Sequence, residues 1–566
     1  MAAFSLNHAW WRDLCSPAFA DRILRRLGIR ERWIARLERL ANGLDAKGRA
    51  RAAGAALDKL DRAETFGGAD AYVEALAPLE DWLERLYALE NEFAVTLSAG
   101  PIVEGLDYRK SRALAAFAER DSVLARSIAE IVRPLARAND LFLFAATSPE
   151  DLLTGLIAAR SIRAANPAAH ISLADHGYEN FSLSASLEAA APALAAFFDT
   201  IVATKDERDE VVPLLASSLA EGESPGGVLR RADLTGNARR ASRTPVGESA
   251  RLPSMATFSP EPVLWTRLSA RRCYWSRCAF CTQNAKYDEP GAPAKAEVRA
   301  SLQRLAAMAG GGLRLAIFSD EALSPATLRL AVKEMGRLDL AISWACRCKI
   351  EPAHTADLFE GLAGAGCAEV LFGIESASPR VLALMDKVSH GVDAAFAAGA
   401  LREMSAHGIG AHVNLLAGFP GDSLEEAEAS VDWCVEALKD LAGATWILNR
   451  FALFSETPAA DRPERFGLEA IDRKGDIPGP LDHRLTPILA GEAAKIEAAL
   501  PRMRERLASA LGWGDVARRP GGRLALELYF GSGHGLIFKS QGAANPFANP
   551  LSSRAVSPGS RQPQAA

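Results

Sequence analysis

Three thiols fall within nine residues in Cys273-Tyr-Trp-Ser-Arg-Cys278-Ala-Phe-Cys281. On one short loop, three thiolates can each hold one iron of a [4Fe–4S] cluster, and the fourth iron then stays open to another ligand. A zinc site is the structural alternative, but structural zinc takes four closed ligands. The residues that follow, Thr282-Gln283-Asn284-Ala285-Lys286, add no fourth Cys or His. Chance clustering of buried cysteines is the remaining reading. Elsewhere Cys15, Cys367 and Cys434 stand alone, and Cys346 and Cys348 form a pair around Arg347. Strand alternation puts that pair on the face opposite Arg347, which suits core thiols; redox-active or cluster-binding thiols are the other possibility.

Three further segments carry side chains suited to a charged ligand. Phe318-Ser319-Asp320-Glu321 ends a strand with two acids, and an acid there can accept hydrogen bonds from an ammonium. Gly373-Ile374-Glu375-Ser376 ends another, and its carboxylate can take two hydroxyls. Read alone, Glu321 and Glu375 could equally cap the helices that follow. Asn414 to Gly421 contains Gly418 and Gly421, which permit close backbone approach or positive φ. A plain strand-to-helix turn would use the same residues.

The elements that must position these residues can be read from periodicity. The chain has 566 residues, which implies more than one globular unit. Up to about residue 135 it reads as helix after helix, with apolar residues at three- and four-residue spacing such as Trp33-Ile34-Leu37-Leu40. At Asp140 the pattern changes to short strands (141–144, 171–174 and 200–203) alternating with helices. Ser148-Pro149-Glu150-Asp151 opens one of those helices with a cap, a proline and acids near the positive end. Such alternation implies a parallel sheet, here a small doubly wound domain over 136–220 with ligand-binding loops near Ala146 and Asp175. Gly, Ser, Pro and Arg dominate 221–262, a linker. A second alternating series has strands at 263–269, 313–318, 341–348, 368–373, 411–417 and 445–453. Six βα units suit a partial or complete parallel barrel, whose chemistry sits at the strand C-terminal ends. That unit spans 263–485, a C-terminal extension runs over 486–540, and 541–566 reads as a disordered tail.

Composition narrows the class. Net charge is −5 and hydrophobic residues make up 49%, so there is no basic excess to neutralise nucleic-acid phosphates. No apolar run approaches the roughly 18 residues needed to cross a bilayer. Met1–Trp11 lacks the charged and apolar regions of a signal peptide. A cytoplasmic protein without membrane or nucleic-acid partners is expected. Eight cysteines are too few for a disulfide scaffold.

The cysteine loop resembles the cluster-binding motif of the radical S-adenosylmethionine (SAM) enzymes, with four residues rather than three between Cys273 and Cys278. Its Cys-Tyr-Trp-x-Arg-Cys-x-Phe-Cys wording is similar to the branch with an N-terminal cobalamin-binding domain. The resemblance implies a [4Fe–4S] cluster on Cys273, Cys278 and Cys281, with Phe280 against the SAM adenine. It implies contacts to the SAM amino group from Asp320 and Glu321, to ribose and methionine from Glu375 and Ser376, and to adenine from Gly418. The fold implied is α/β: a partial (β/α)6 radical SAM barrel, preceded by the small α/β domain and the helical N-terminal region. The α/β domain resembles a cobalamin-binding domain in architecture and order. It lacks the Asp-x-His-x-x-Gly ligand motif, for which Asp175-His176-Gly177 has the letters but not the spacing, and it lacks the following Gly-Gly. The activity implied is reductive cleavage of SAM to start radical modification, including cobalamin-dependent methylation, of a peptide or small-molecule substrate. An electron donor such as flavodoxin or ferredoxin would be the partner. A non-catalytic or electron-transfer iron–sulfur protein that keeps the fold is the alternative, disfavoured by the presence of Asp320, Glu321 and Glu375. A transfer-RNA methylthiotransferase is disfavoured because only Cys15 precedes Cys273.

Overall fold

The computed structural model describes residues 6–20, 22, 46–89, 93–95, 101–103, 105–146, 148–175, 187–202, 226–229, 259–269, 273–282, 293–441, 444–455, 457–472, 475–477, 479–512, 516, 518–531 and 534–540. The expected tail (541–566) and most of the expected linker lie outside the described residues.

The N-terminal region is helical as its periodicity requires, with helices Leu6–Leu14, Ala46–Leu60, Ala69–Leu89, Ser111–Ala118 and Val123–Ala138. Trp10, Leu14, Leu57, Tyr72 and Trp82 form its fully buried centre. A short antiparallel hairpin, β1 (Phe93–Val95) and β2 (Pro101–Val103), interrupts it. Three-residue strands are too short to show a two-residue period, so the sequence gives no sign of them.

The small α/β domain contains β3 (Leu141–Ala146), β4 (His170–Asp175), β5 (Thr200–Val202) and β6 (Gly227–Leu229). Ser148 caps the helix Pro149–Ala165, its side chain accepting from Asp151 N at 3.1 Å. The strands are parallel in the order β3-β4-β5-β6. This order is sequential, and among the described residues the reversal expected of a doubly wound sheet is not seen. β6 falls inside the stretch read as linker. Its sequence, Gly-Val-Leu, has a glycine at its start and no flanking run to mark it as a strand.

All six barrel strands form: β7 (Val263–Thr266), β8 (Leu315–Phe318), β9 (Ser343–Cys348), β10 (Cys367–Glu375), β11 (Gly410–Ala417) and β12 (Thr445–Arg450). They make one parallel sheet in sequential order, a partial (β/α)6 barrel. Its helices are opened by side-chain caps at Ser324, Ser378, Asp393 and Ser423, each accepting a backbone N–H three residues on. Phe372 meets His354 edge-on, and His354 stacks on Phe359 of the helix Ala356–Gly364. That face of β10 therefore looks outward. Cys348 pairs with Phe372 in register, so it and Cys346 are outward core thiols as alternation predicts, with sulfurs 3.9 Å apart. Arg347, Leu371, His412 and Asn414 occupy the inward face.

After the barrel come a hairpin, β13 (Leu468–Ile471) with β14 (His483–Leu485), and the helices Pro487–Ala510, Gly522–Gly531 and His534–Ser540. The last helix closes the N-terminal end of the barrel. Lys539 pairs with Glu369, which lies on the inward face of β10, and a Cβ at position 410 would collide with the Lys539 ammonium. Phe538 packs against Phe66 and Tyr72 of the N-terminal region at 5.2 and 5.0 Å. The N-terminal helical region and the helix His534–Ser540 thus both build the barrel floor. No helix among the described residues is long and apolar enough to cross a membrane.

Candidate active site at the barrel mouth

The cysteine loop follows β7 and is held by its backbone. Ala279 N donates to Met385 O at 2.9 Å and Ala459 N donates to Ala279 O at 3.0 Å. The Trp275 indole donates to Asp386 O at 3.0 Å. Ala279 itself is fully buried in a second apolar cluster with Met385, Phe419, Phe451, Leu453 and Phe466. The loop is therefore clamped between the turn after the helix Pro379–Leu384 and the segment after β12. Clamping of this kind preorganises a ligand set before any ligand arrives.

Cys273, Cys278 and Cys281 are half-buried and in no disulfide, and Cys281 N donates to Cys278 O at 3.2 Å. Burial pushes the Cys278 thiol up to about 11, against the pull of the Lys387 ammonium. Among the described residues no three His, Cys, Asp or Glu side chains already converge as a metal-ligand group. Metal binding deprotonates its thiol ligands and draws them together. Three soft sulfur donors on one clamped loop, with ammonium groups beside them, fit an iron–sulfur cluster. Phe280 is half-buried and meets Phe419 edge-on at 6.5 Å.

The acids and Ser376 have other partners as well. Asp320 is 3% exposed. Its carboxylate accepts from Leu268 N at 2.8 Å and from Ser269 N at 3.1 Å. It thus anchors the segment that leads into the cysteine loop, and both of its oxygens are engaged by backbone. Glu321 lies 3.9 Å from the Arg267 guanidinium. The Ser376 hydroxyl is shared with Ser430 of the helix Leu424–Leu438 at 3.1 Å and accepts from Ser378 N. Gly418 has φ +81°, and its N–H donates to Asp422 at 3.0 Å.

Glu375 ends β10 with φ +65°, a left-handed conformation unusual outside glycine. Strain of this kind collects at functional sites. Its carboxylate accepts from the Lys387 ammonium at 2.7 Å, with both side chains about nine-tenths buried. A Cβ at position 373 would lie 2.5 Å from the Glu375 carboxylate and 2.7 Å from Lys387 Nζ, so only glycine leaves room for the pair. Burial would lower the Lys387 ammonium, but Glu375 and the thiols of Cys278 and Cys281 outweigh it and hold it above the ordinary lysine range.

Four residues of this site escaped the sequence reading: Tyr274, Lys349, Glu351 and Lys387. The Tyr274 hydroxyl donates to Glu351 at 2.6 Å. Lys349 Nζ stands 3.8 Å from the Trp275 ring centroid, and burial pulls its ammonium down to about 8. The available signal was a lysine directly after a buried strand, at the strand end where barrel sites lie.

The site is thus a three-cysteine loop after the first strand of a parallel half-barrel. Residues 269–434 match the model of the Radical SAM superfamily. Heme chaperone HemW of Mycobacterium tuberculosis is 31% identical over 180 residues, 31% of this chain and 40% of that protein. An uncharacterized methyltransferase of Pyrococcus horikoshii is 30% identical over 118 residues, 21% of this chain and 24% of that protein. The chain thus spans at most 40% of the length of these curated relatives. Among solved structures, the radical S-adenosylmethionine methyltransferase TsrM of Kitasatospora setae aligns with a TM-score of 0.49 and 16% identity, covering 77% of this chain and 97% of TsrM. The cobalamin-dependent S-adenosylmethionine radical enzyme OxsB aligns with a TM-score of 0.44 and 14% identity, covering 73% and 65%.

Proposed function

We propose that this chain is a radical SAM enzyme. In this reading it holds one [4Fe–4S] cluster on Cys273, Cys278 and Cys281, with SAM beside it, and modifies a peptide or small-molecule substrate. The observation that carries the reading is the clamped three-thiol loop at the C-terminal mouth of the barrel, where this architecture does its chemistry. The cluster and SAM together supply reductive cleavage of the sulfonium, giving methionine and a 5′-deoxyadenosyl radical. The chain's own residues supply binding, orientation and exclusion of water. Glu375 and Lys387 offer a carboxylate and an ammonium, complementary to the two ends of a zwitterionic amino acid. Phe280 offers aromatic surface for a flat base. Phe419, Phe451 and Phe466 wall the loop from solvent, which protects a reactive carbon radical. The single electron needed per cleavage comes from an external donor such as flavodoxin or ferredoxin.

Anaerobic reconstitution tests this directly. Wild-type protein should hold four irons and, once reduced, convert SAM to 5′-deoxyadenosine. Joint replacement of Cys273, Cys278 and Cys281 by alanine should abolish the iron and the brown chromophore. A full iron complement in that triple variant would sink the assignment.

The parallel sheet β3–β6 ahead of the barrel supports a second reading, cobalamin as an additional cofactor and methyl transfer as the outcome. His170 lies within that sheet, bonded to Thr200 at 2.9 Å, so it is not placed as a cobalt ligand; His176 lies outside the described residues. Protein incubated with hydroxocobalamin and desalted should keep near-stoichiometric corrinoid absorbance. Colourless protein would make the domain a scaffold for the barrel.

A further inference from the structure

Lys349 has no role in anything derived so far. It follows Cys348 at the end of β9 and is 5% exposed. Its ammonium donates to the Ser389 hydroxyl and rests on the face of Trp275, 3.8 Å from the ring centroid. Neither partner is an anion. Glu351, two residues on, gives its carboxylate to the Tyr274 hydroxyl. The neighbouring Lys387 has a carboxylate of its own in Glu375. Among the described residues no carboxylate forms an ion pair with Lys349.

Burial still pulls Lys349 down against the opposing charge of Glu351, which the Lys387 ammonium works against, and an ammonium buried without a bonded counter-ion is costly. A fold that keeps such a group has an anion to meet it in its working state. Trp275, on whose ring Lys349 rests, lies between Cys273 and Cys278 in the loop, so the ammonium faces the segment that carries both thiols. Cysteine binds iron as the thiolate. A three-thiolate cluster is negative overall, and reduction makes it more so by one charge.

We infer that Lys349 is a counter-charge built into the fold for the loaded cluster, a positioning residue that favours the reduced state. The inference rests on the cluster reading above. Its effect is electrostatic and requires no bond to iron or to SAM. At the spacing of neighbouring side chains in a buried site, one unit charge shifts an equilibrium by on the order of tenfold.

The test is a redox titration of the full-length, anaerobically reconstituted protein, followed by the electron paramagnetic resonance of the reduced cluster. SAM is left out, so that pairing of Lys349 with its carboxylate plays no part. Lys349→Met should lower the ratio of reduced to oxidised cluster at fixed potential about tenfold, which is about 59 mV for a one-electron couple. Lys349→Gln keeps a hydrogen bond for Ser389 without the charge and should shift the same way. Lys349→Arg should stay near wild type. Unmoved potentials in both neutral variants, each carrying four irons, would overturn the inference and leave the cluster reading intact. A wild-type chain that takes up no iron would instead remove the cluster reading, and this inference with it.

Discussion

His354 is kept neutral by its surroundings. It is 4% exposed and lies between Phe359 and Phe372. Its Nδ1 accepts from Glu351 N at 3.1 Å, while Nε2 is buried with no partner. Burial lowers its pKa to about 4, below the roughly 6.5 of an unfolded histidine. Between those values the unfolded chain binds a proton that the folded chain refuses, so stability falls as pH drops from about 6.5 toward 4. Integrated from pH 7 to pH 5, the loss is about 2 kcal/mol at 1.36 kcal/mol per unit. Urea unfolding at the two pH values should show it, and His354→Leu should reduce the difference by about that amount, leaving the share of His170 and His412, which burial also lowers. Residue type and spacing go further for some groups than for others. The three cysteines were legible because their function needs only that they share a loop. Asp320 was legible as an acid at a strand end, but not as one whose oxygens face Leu268 N and Ser269 N, because that depends on how the next loop folds back. Lys349 carried no motif at all; its meaning comes from Trp275 and Ser389, which are distant in sequence.

Elements announced themselves where they are long and capped. Ser324, Ser378 and Ser423 each precede a helix by one residue, and each sits after a strand of four or more residues. That repeated grammar makes six βα units readable. β1, β2 and β6 are three residues each, too short for a period, and tertiary pairing alone defines them. The junction of β7 and β8 gives the element-scale prediction. Asp320→Ala leaves two buried N–H groups without an acceptor, each costing about 1–3 kcal/mol. The segment entering the cysteine loop should loosen, so the melting temperature and the iron retained after desalting should both fall. SAM affinity of the fraction that stays loaded should hold. A tenfold loss of SAM affinity with full iron content would instead mean that Asp320 contacts SAM.

At the scale of the whole molecule the N-terminal helical region and the C-terminal helices meet beneath the barrel. Gly521 packs so closely on the helix Ala69–Leu89 that a Cβ there would collide with the backbone of Val73 and Ala77. Glu80 from that helix accepts from Gly521 N at 2.5 Å and Leu524 N at 3.2 Å. Farther along, Asp476 accepts from Ser111 N at 2.6 Å, tying the N-terminal region to the segment after β12. None of this was legible, since the sequence shows a helical N-terminal region and a C-terminal extension but not that each covers the other's apolar face. The floor also holds a charge pair, Lys539 with Glu369, whose side chains are 11% and 24% exposed. Burial would raise the Glu369 carboxyl, yet Lys539 and His412 hold it below the usual range. Lys539→Met should strand that carboxylate on the inward face of β10. Full burial of an unpaired charge costs about 3–5 kcal/mol, and the partial exposure of Glu369 reduces the expected loss to about 1–3 kcal/mol. The double variant with Glu369→Gln should recover most of it, because an amide there has no charge left to compensate. If urea unfolding finds the two single losses simply adding in the double variant, the pair does not couple the last helix to the barrel, and the apolar contacts of Phe538 hold that helix in place.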